Sequence, residues 1–363
     1  MDLAVWDPFS GGDFHETDNP SAVYDWHVLQ IREAEELGYD QYYLIEHQNN
    51  RALRLTSAAV MLAAMARETS VIRIGTMIWP LPFHNPMRLA QDVATLDHLS
   101  HGRVEFGTGI GTQEVESIRF GIDYAQRQAM GEEALEIIKL AWSEDEVTYD
   151  GKFWHYLDHL PFPRPFQQPH PPIWAGCHSY RAHEFAARNG FGCAQNIETN
   201  ADLAERLAFY RKIWAETQPL GTRPRTFLMR QVYVDETDEK AHEVARARYG
   251  NTWGMENRAL AHQRYGLDPA GYGREGELPE NVARNHLREM LAGPNGYEWG
   301  IEQGIFIIGS PDTVIEQITR TNEQMGGLDV FCANFEFGRM PVEQARKALR
   351  LFGKEVLPAV SSL

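Results

Sequence analysis

Residues 69–111 read TSVIRIGTMIWPLPFHNPMRLAQDVATLDHLSHGRVEFGTGIG, an order of patterns that predicts strand, loop, helix and strand leading into a glycine-rich turn. Val71–Ile78 is an apolar run rich in β-branched residues, the composition of a strand. Asn85-Pro86 then opens a helix: the asparagine oxygen accepts an otherwise free amide, and proline suits a first turn that needs no N–H. Val104–Gly107 resumes extended structure. Strand, helix and strand in that order form one unit of a parallel sheet.

The alternation extends both ways from this unit. Upstream, a strand at Leu3–Trp6, a polar loop over 7–19, a helix over 22–37 stopped by Gly38, a strand at Tyr42–Ile45 and a helix over 57–67 are expected. Downstream come a helix over 124–142 and a hairpin of Val147–Tyr149 with Phe153–Tyr156 across Asp150-Gly151. The proline-dense stretch 161–172 is extended. Strands at 173–175, 192–196 and 227–234 alternate with helices at 180–189 and 201–217, and Val330–Asn334 supplies an eighth strand before a closing helix over 342–356. Eight strands separated by helices predict an α/β fold, a (β/α)8 TIM barrel occupying residues 1–363 as one domain. Ile305–Ile308 is a ninth short run, accessory to a barrel, although an open doubly wound sheet could also use it. The segment 250–304, rich in glycine and aromatic residues, reads as an insertion. Its Trp253, Tyr265, Tyr272, Tyr297 and Trp299 point to an apolar or aromatic ligand.

Composition narrows the partners. Thirty-four basic against 51 acidic residues give a net charge of −17 over 363 residues, which repels nucleic acid and anionic membrane surfaces. Three cysteines, Cys177, Cys193 and Cys332, with no CxxC spacing argue against a disulfide framework and fit a reducing compartment. The start MDLAVWDPF lacks a basic n-region, and no apolar run approaches the ~18 residues of a bilayer span, so a soluble cytoplasmic protein is expected.

Several phrases together resemble the bacterial luciferase-like family of flavin-dependent monooxygenases: Glu46-His47 after an apolar strand, the run IGTMIWPLPFHNPMRLAQDVATLDHLSHGRVEFGTG, PPIWAG at 171–176 and IGSP at 308–311. The resemblance spans about residues 3–358 and implies a luciferase-like barrel with insertions. It implies that His47 is the active-site histidine near the reactive face of a flavin, with Gln48 where relatives often carry a second histidine. It places Met77 and Ile78 under the flavin ring, often through a cis peptide or bulge. It assigns Gly107 and Gly109, with the Cys177-His178-Ser179-Tyr180 segment, to cofactor binding. Relatives commonly have an arginine at the position of Ile110; Arg181 is a candidate substitute. Trp6, Trp79, Gln195 and Asn196 fall at strand ends and are candidates for the substrate wall. The implied reaction uses reduced FMN (FMNH2) and O2 to form a flavin hydroperoxide that oxidises a small organic substrate. A separate flavin reductase and a second copy of the chain, as a homodimer, are the implied partners.

Other readings stay open. A deazaflavin-dependent oxidoreductase, or a non-catalytic flavin-binding subunit, would share the fold. Glu46 with Glu336 would permit paired-carboxylate glycosidase chemistry on a barrel. A dinucleotide GxGxxG reading of 107–112 fails because position 112 is Thr112. The pairs His98/His101 and His155/His159 lack carboxylate or thiolate partners in sequence, so no metal site is expected. Asp97 and the 99–103 segment lie on the side of the unit away from a barrel's active-site end and are assigned to structure.

Overall fold

The computed structural model describes residues 1–10, 13–48, 55, 57–111, 114–249, 287, 289–336 and 338–363. The strands are β1 Asp2–Asp7, β2 Gln41–Leu44, β3 Arg73–Pro80, β4 Val104–Gly109, β5 Val147–Asp150, β6 His155–His159, β7 Ile173–Gly176, β8 Gly192–Gln195, β9 Thr226–Val234, β10 Phe306–Gly309 and β11 Val330–Asn334. Eight parallel strands run β11-β1-β2-β3-β4-β7-β8-β9 and close where β9 pairs with β11. This is the (β/α)8 barrel expected from the alternation. β10 pairs only with the C-terminal half of β9 and stays outside the closure, an accessory strand. β5 and β6 form the separate antiparallel hairpin.

The barrel lumen is packed. Ala4 and Trp6, Tyr43 and Ile45, Trp174, Ala194, Phe227 and Met229, and Val330 and Cys332 make one inner cluster. Along a strand the side chains alternate between this lumen and a larger outer core under the helices. Glu105 lies buried with Arg73 Nε and Trp174 Nε1 on its two oxygens, each at 2.6 Å. Gly192 makes room for the Trp174 indole: a Cβ there would lie 2.3 Å from the ring.

Local chemistry fixes the element ends. Helix α1 (Pro20–Glu36) begins two residues before the expected start because Asn19 accepts the Ser21 amide at 3.1 Å. The same Asn-Pro device caps α3 (Pro86–Leu99), where Asn85 accepts the Arg88 amide at 3.0 Å. β3 begins at Arg73 and not at Val71, because the carboxylate of Glu35 takes the amides of Ser70, Val71 and Ile72 away from the ladder. The remaining helices used below are α2 (Ala58–Glu68), α4 (Glu114–Arg119), α5 (Arg127–Ser143), α6 (Tyr180–Arg188) and α7 (Asn200–Thr217). α4 is an element the sequence reading did not anticipate. Of the insertion, 250–286 and 288 lie outside the described residues, and with them Trp253, Tyr265 and Tyr272. Tyr297 is buried in a short helix, stacked on Phe306 of β10. Among the described residues, no helix is long and apolar enough to cross a membrane.

Candidate active site

The C-terminal end of a parallel barrel is where loops converge, and the chain concentrates its polar side chains there. Directly after β2, His47 Nδ1 lies 2.7 Å from Glu116 Oε1 on α4. Burial disfavours the charged imidazole, yet the Glu116 carboxylate, by charge and hydrogen bond, and Glu46, by charge, outweigh it and raise the His47 pKa above the ordinary value. Its neighbour Glu46 is buried and accepts from Gln48 Nε2 at 3.0 Å and from His84 Nε2 at 2.8 Å on the same oxygen, Oε1. His84, in the loop after β3, sits edge-on to the Trp79 indole. Two histidine–glutamate pairs therefore stand side by side at one sector of the mouth.

The next sector is a ridge. β3 breaks register with β4 between Thr76 and Trp79, and the Met77–Ile78 peptide within that bulge is cis. The facing glycines accommodate the ridge. A Cβ on Gly107 would lie 2.1 Å from Thr76 O and 3.0 Å from Met77 Sδ, and one on Gly109 would lie 2.8 Å from Ile78 Cδ1. Gly176 continues the track, 3.3 Å from Ile78 Cγ2 by the same measure. Met77 reaches the inner cluster, and both ridge residues are only half-buried. Ile110 closes the track by packing into the side of α5, where a Cβ on Gly131 would lie 2.6 Å from its Cγ2.

Beyond the track stands α6. Ser179 caps it by accepting the Ala182 amide on its hydroxyl oxygen at 3.2 Å, which leaves the hydroxyl hydrogen for another acceptor. The free first-turn amides and the helix dipole favour an anion at this end. His183, one turn in, donates Nδ1–H to Ser179 O at 2.7 Å and accepts from Gln195 Nε2 at 2.6 Å. Burial lowers its pKa to about 4, so it is neutral and its tautomer is set by these two partners. Next to it, His178 Nδ1 meets Glu198 Oε1 at 2.9 Å, and Arg206 Nη1 lies 3.6 Å from the same oxygen. Arg230, on the outer face of β9, is fully buried; it holds Asn200 Oδ1 at 2.6 Å, and burial lowers its pKa to about 9.

The structure sorts the sequence-derived candidates. Trp6, Met77 and Asn196 share the lumen side of the mouth; Gln231 of β9 and Asn334 of β11 have the same parity. Trp79 instead belongs to the outer core, and Gln195 turns outward to His183. Cys177 is fully buried, its Sγ against Ala175 O and its amide spent on Ala194 O. The Tyr180 hydroxyl reaches Glu205 on α7 at 2.5 Å. Arg181 is drawn aside to Glu132 of α5 at 3.0 Å. Glu336 and Glu46 are both buried, each with its own hydrogen-bond partner, His84 for Glu46 and Gln30 for Glu336. Sequence reasoning missed Glu116, His84, His183 and Arg230, because each matters through a partner far away in the chain. The cheapest available signal was His84, in the PFHNP phrase of the organising unit.

Among the buried polar atoms without a hydrogen-bond partner within the described residues, Trp6 Nε1, Asn196 Oδ1 and Gln231 Oε1 stand on the lumen side of the mouth, and Glu46 Oε2 lies behind it. Burying such atoms unpaired is costly, so the three on the lumen side point to a polar ligand in the mouth.

This barrel, bulge and mouth belong with known proteins. The family model for luciferase-like monooxygenases matches residues 1–328. The chain therefore belongs to that family and is an oxidoreductase of the flavin-dependent monooxygenase class. Among its relatives, the oxygenase component of the flavin-dependent trigonelline monooxygenase of Acinetobacter baylyi is 26% identical over 342 residues, 93% of this chain and 90% of that one. Two solved structures share the fold. The oxygenating constituent of 3,6-diketocamphane monooxygenase from Pseudomonas putida, in complex with FMN, has a TM-score of 0.76 at 22% identity and covers 99% of this chain and 98% of its own. An F420-dependent secondary alcohol dehydrogenase has a TM-score of 0.72 at 19% identity, covering 99% of each chain.

Proposed function

We propose that the chain binds reduced FMN in the mouth of the barrel and uses it with O2 to oxidise a small organic substrate. The observation that carries this reading is the Met77–Ile78 ridge over the glycine track, flanked by the unpaired Trp6, Asn196 and Gln231 atoms. A flat ring needs a smooth apolar seat on one face and hydrogen-bonding groups at its edge, and the ridge and those atoms offer both. Ser179 and the α6 N-terminus suit its phosphate, with Gly107 and Gly109 keeping the intervening backbone low. Bound flavin supplies the oxygen chemistry; the chain's task is to orient it, exclude water and manage protons. His47 is the group for protons, since Glu116 sustains its charge at the rim. The lumen face of Trp6, Ile45 and Met77 beside Asn196 and Gln231 favours a substrate with an apolar body and one or two polar atoms.

A separate reductase supplies the reduced flavin in this reading, supported by the component naming of the trigonelline relative. The test is anaerobic titration with FMNH2, then mixing with oxygenated buffer and a substrate panel. Binding followed by oxygen-dependent product supports the proposal. A second reading, hydride transfer with a deazaflavin, is favoured by one observation: the apolar Ile110 packs against Gly131 of α5 at the position where an arginine was expected to meet the FMN phosphate. Saturable binding of that coenzyme without FMN binding, and turnover indifferent to O2, would replace the first reading with the second. Within the first, His47→Ala keeps FMN affinity and loses product, whereas Ser179→Ala weakens FMN binding several-fold, the loss of roughly one hydrogen bond.

A further inference from the structure

We propose that Asp7, His27 and Glu336 form a buried site for one divalent first-row cation, behind the barrel wall and independent of the flavin reading. Asp7 ends β1, His27 lies on the buried face of α1 and Glu336 follows β11. One donor atom from each lies within 4.8 Å of the others, close to the span of about 4.4 Å between opposed ligands on one ion. Asp7 Oδ2 and His27 Nδ1 are 2.8 Å apart, which suits a hydrogen bond and equally suits neighbouring ligands on an octahedral ion with bonds of about 2.1 Å.

The surroundings are those of an oriented ligand set. The Phe9 amide holds Asp7 Oδ1 at 3.0 Å, and the Tyr42 hydroxyl donates to Oδ2 at 2.6 Å. Gln30 Nε2 reaches both the Tyr42 hydroxyl, at 3.1 Å, and Glu336 Oε1, at 2.9 Å. That leaves Glu336 Oε2 buried with no hydrogen-bond partner among the described residues, on a residue 8% exposed. On the far side of the imidazole, Asp13 Oδ2 lies 3.3 Å from His27 Nε2, and among the described residues neither of these buried atoms has a hydrogen-bond partner. The Phe9 ring stacks on the imidazole at 3.7 Å and fixes its plane.

Charge points the same way. Three carboxylates are buried here, and among the described residues no lysine or arginine forms an ion pair with any of them; His27 is their one basic partner. A divalent ion would balance the buried negative charge of this pocket and tie β1, α1 and β11 together. One imidazole nitrogen with two carboxylate oxygens suits Mn2+, Fe2+ or Zn2+ better than the all-oxygen sites of Ca2+ and Mg2+.

The experiment uses tag-free, full-length protein stripped with chelator, then equilibrium dialysis against Zn2+ and, separately, Mn2+, with bound metal counted by mass spectrometry. One equivalent per chain is expected, with a rise in Tm, and at least tenfold weaker binding in Glu336→Gln. X-ray absorption of the zinc-loaded wild type, which needs no variant, should show oxygen and nitrogen ligands with a single imidazole. Absence of stoichiometric binding to the wild type overturns the proposal. So does undiminished affinity in Glu336→Gln, which assigns the ion to surface groups such as the exposed His155–Asp150 pair, or a shell with no imidazole or several.

Discussion

His47 and Glu116 act as one unit, and their coupling has a pH signature. The folded His47 pKa is raised, so the pair adds stability that is full below the unfolded histidine value of about 6.5 and is lost as pH rises through the folded value. Glu116→Gln should therefore lower the His47 pKa, read by NMR titration of the imidazole. The stability gap between wild type and variant should be widest at mildly acidic pH and close toward alkaline pH. An unmoved His47 titration would detach Glu116 from it. Gly107 carries a second residue-scale prediction. A methyl placed 2.1 Å from Thr76 O cannot be absorbed by a side-chain rotation, because backbone stands in its way. Gly107→Ala should cost about 1–3 kcal/mol or more in urea unfolding. Gly121→Ala, whose Cβ meets nothing within 4 Å but whose φ is +77°, should cost only about 1 kcal/mol through its backbone.

At the scale of elements, the segment after α3 fastens the organising unit together. Arg103 donates Nε to Ser100 O, Nη1 to Ile72 O and Thr69 Oγ1, and Nη2 to Ala66 O and Thr69 O, closing the C-terminal end of α2 over the entry to β3. Asp97 binds both the amide and the side chain of Gln167, at 2.7 and 2.8 Å, and so anchors the proline-rich connection to β7. Arg103→Met strands buried carbonyls and should cost on the order of 3 kcal/mol. Arg103→Lys should recover only part, since an ammonium cannot reach several acceptors in one plane. Equal stability of the two variants would mean that the fork geometry is irrelevant. The assignment of Asp97 and 99–103 to structure was thus legible from their place opposite the active-site end. The extra helix α4 was not, because its six residues carry no complete period of apolar positions.

At the scale of the whole molecule, the barrel is unevenly laddered. Its seams at β4–β7, β7–β8 and β8–β9 register over three residues each, whereas β9–β11 registers over five. Native-state hydrogen exchange should find the β7 and β8 amides opening at lower free energy than those of β1 and β11. Ligand that seats on Gly176 and α6 should protect β7 and β8 more than the rest; uniform protection would place it elsewhere.

The sequence by itself determined the alternation, the eight barrel strands, the accessory ninth run and the family, because these follow from local periodicity, caps and contiguous phrases. Tertiary structure alone decided which side chains meet. Glu116 reaches His47 across 69 residues, and Glu336 reaches Gln30 across 306. It also decided which way strand-end residues face: Trp6 enters the lumen and Trp79 the outer core, because the bulge between Thr76 and Trp79 resets the parity of β3. Parity is a property of the ladder, set by backbone pairing between strands, and no single strand encodes it.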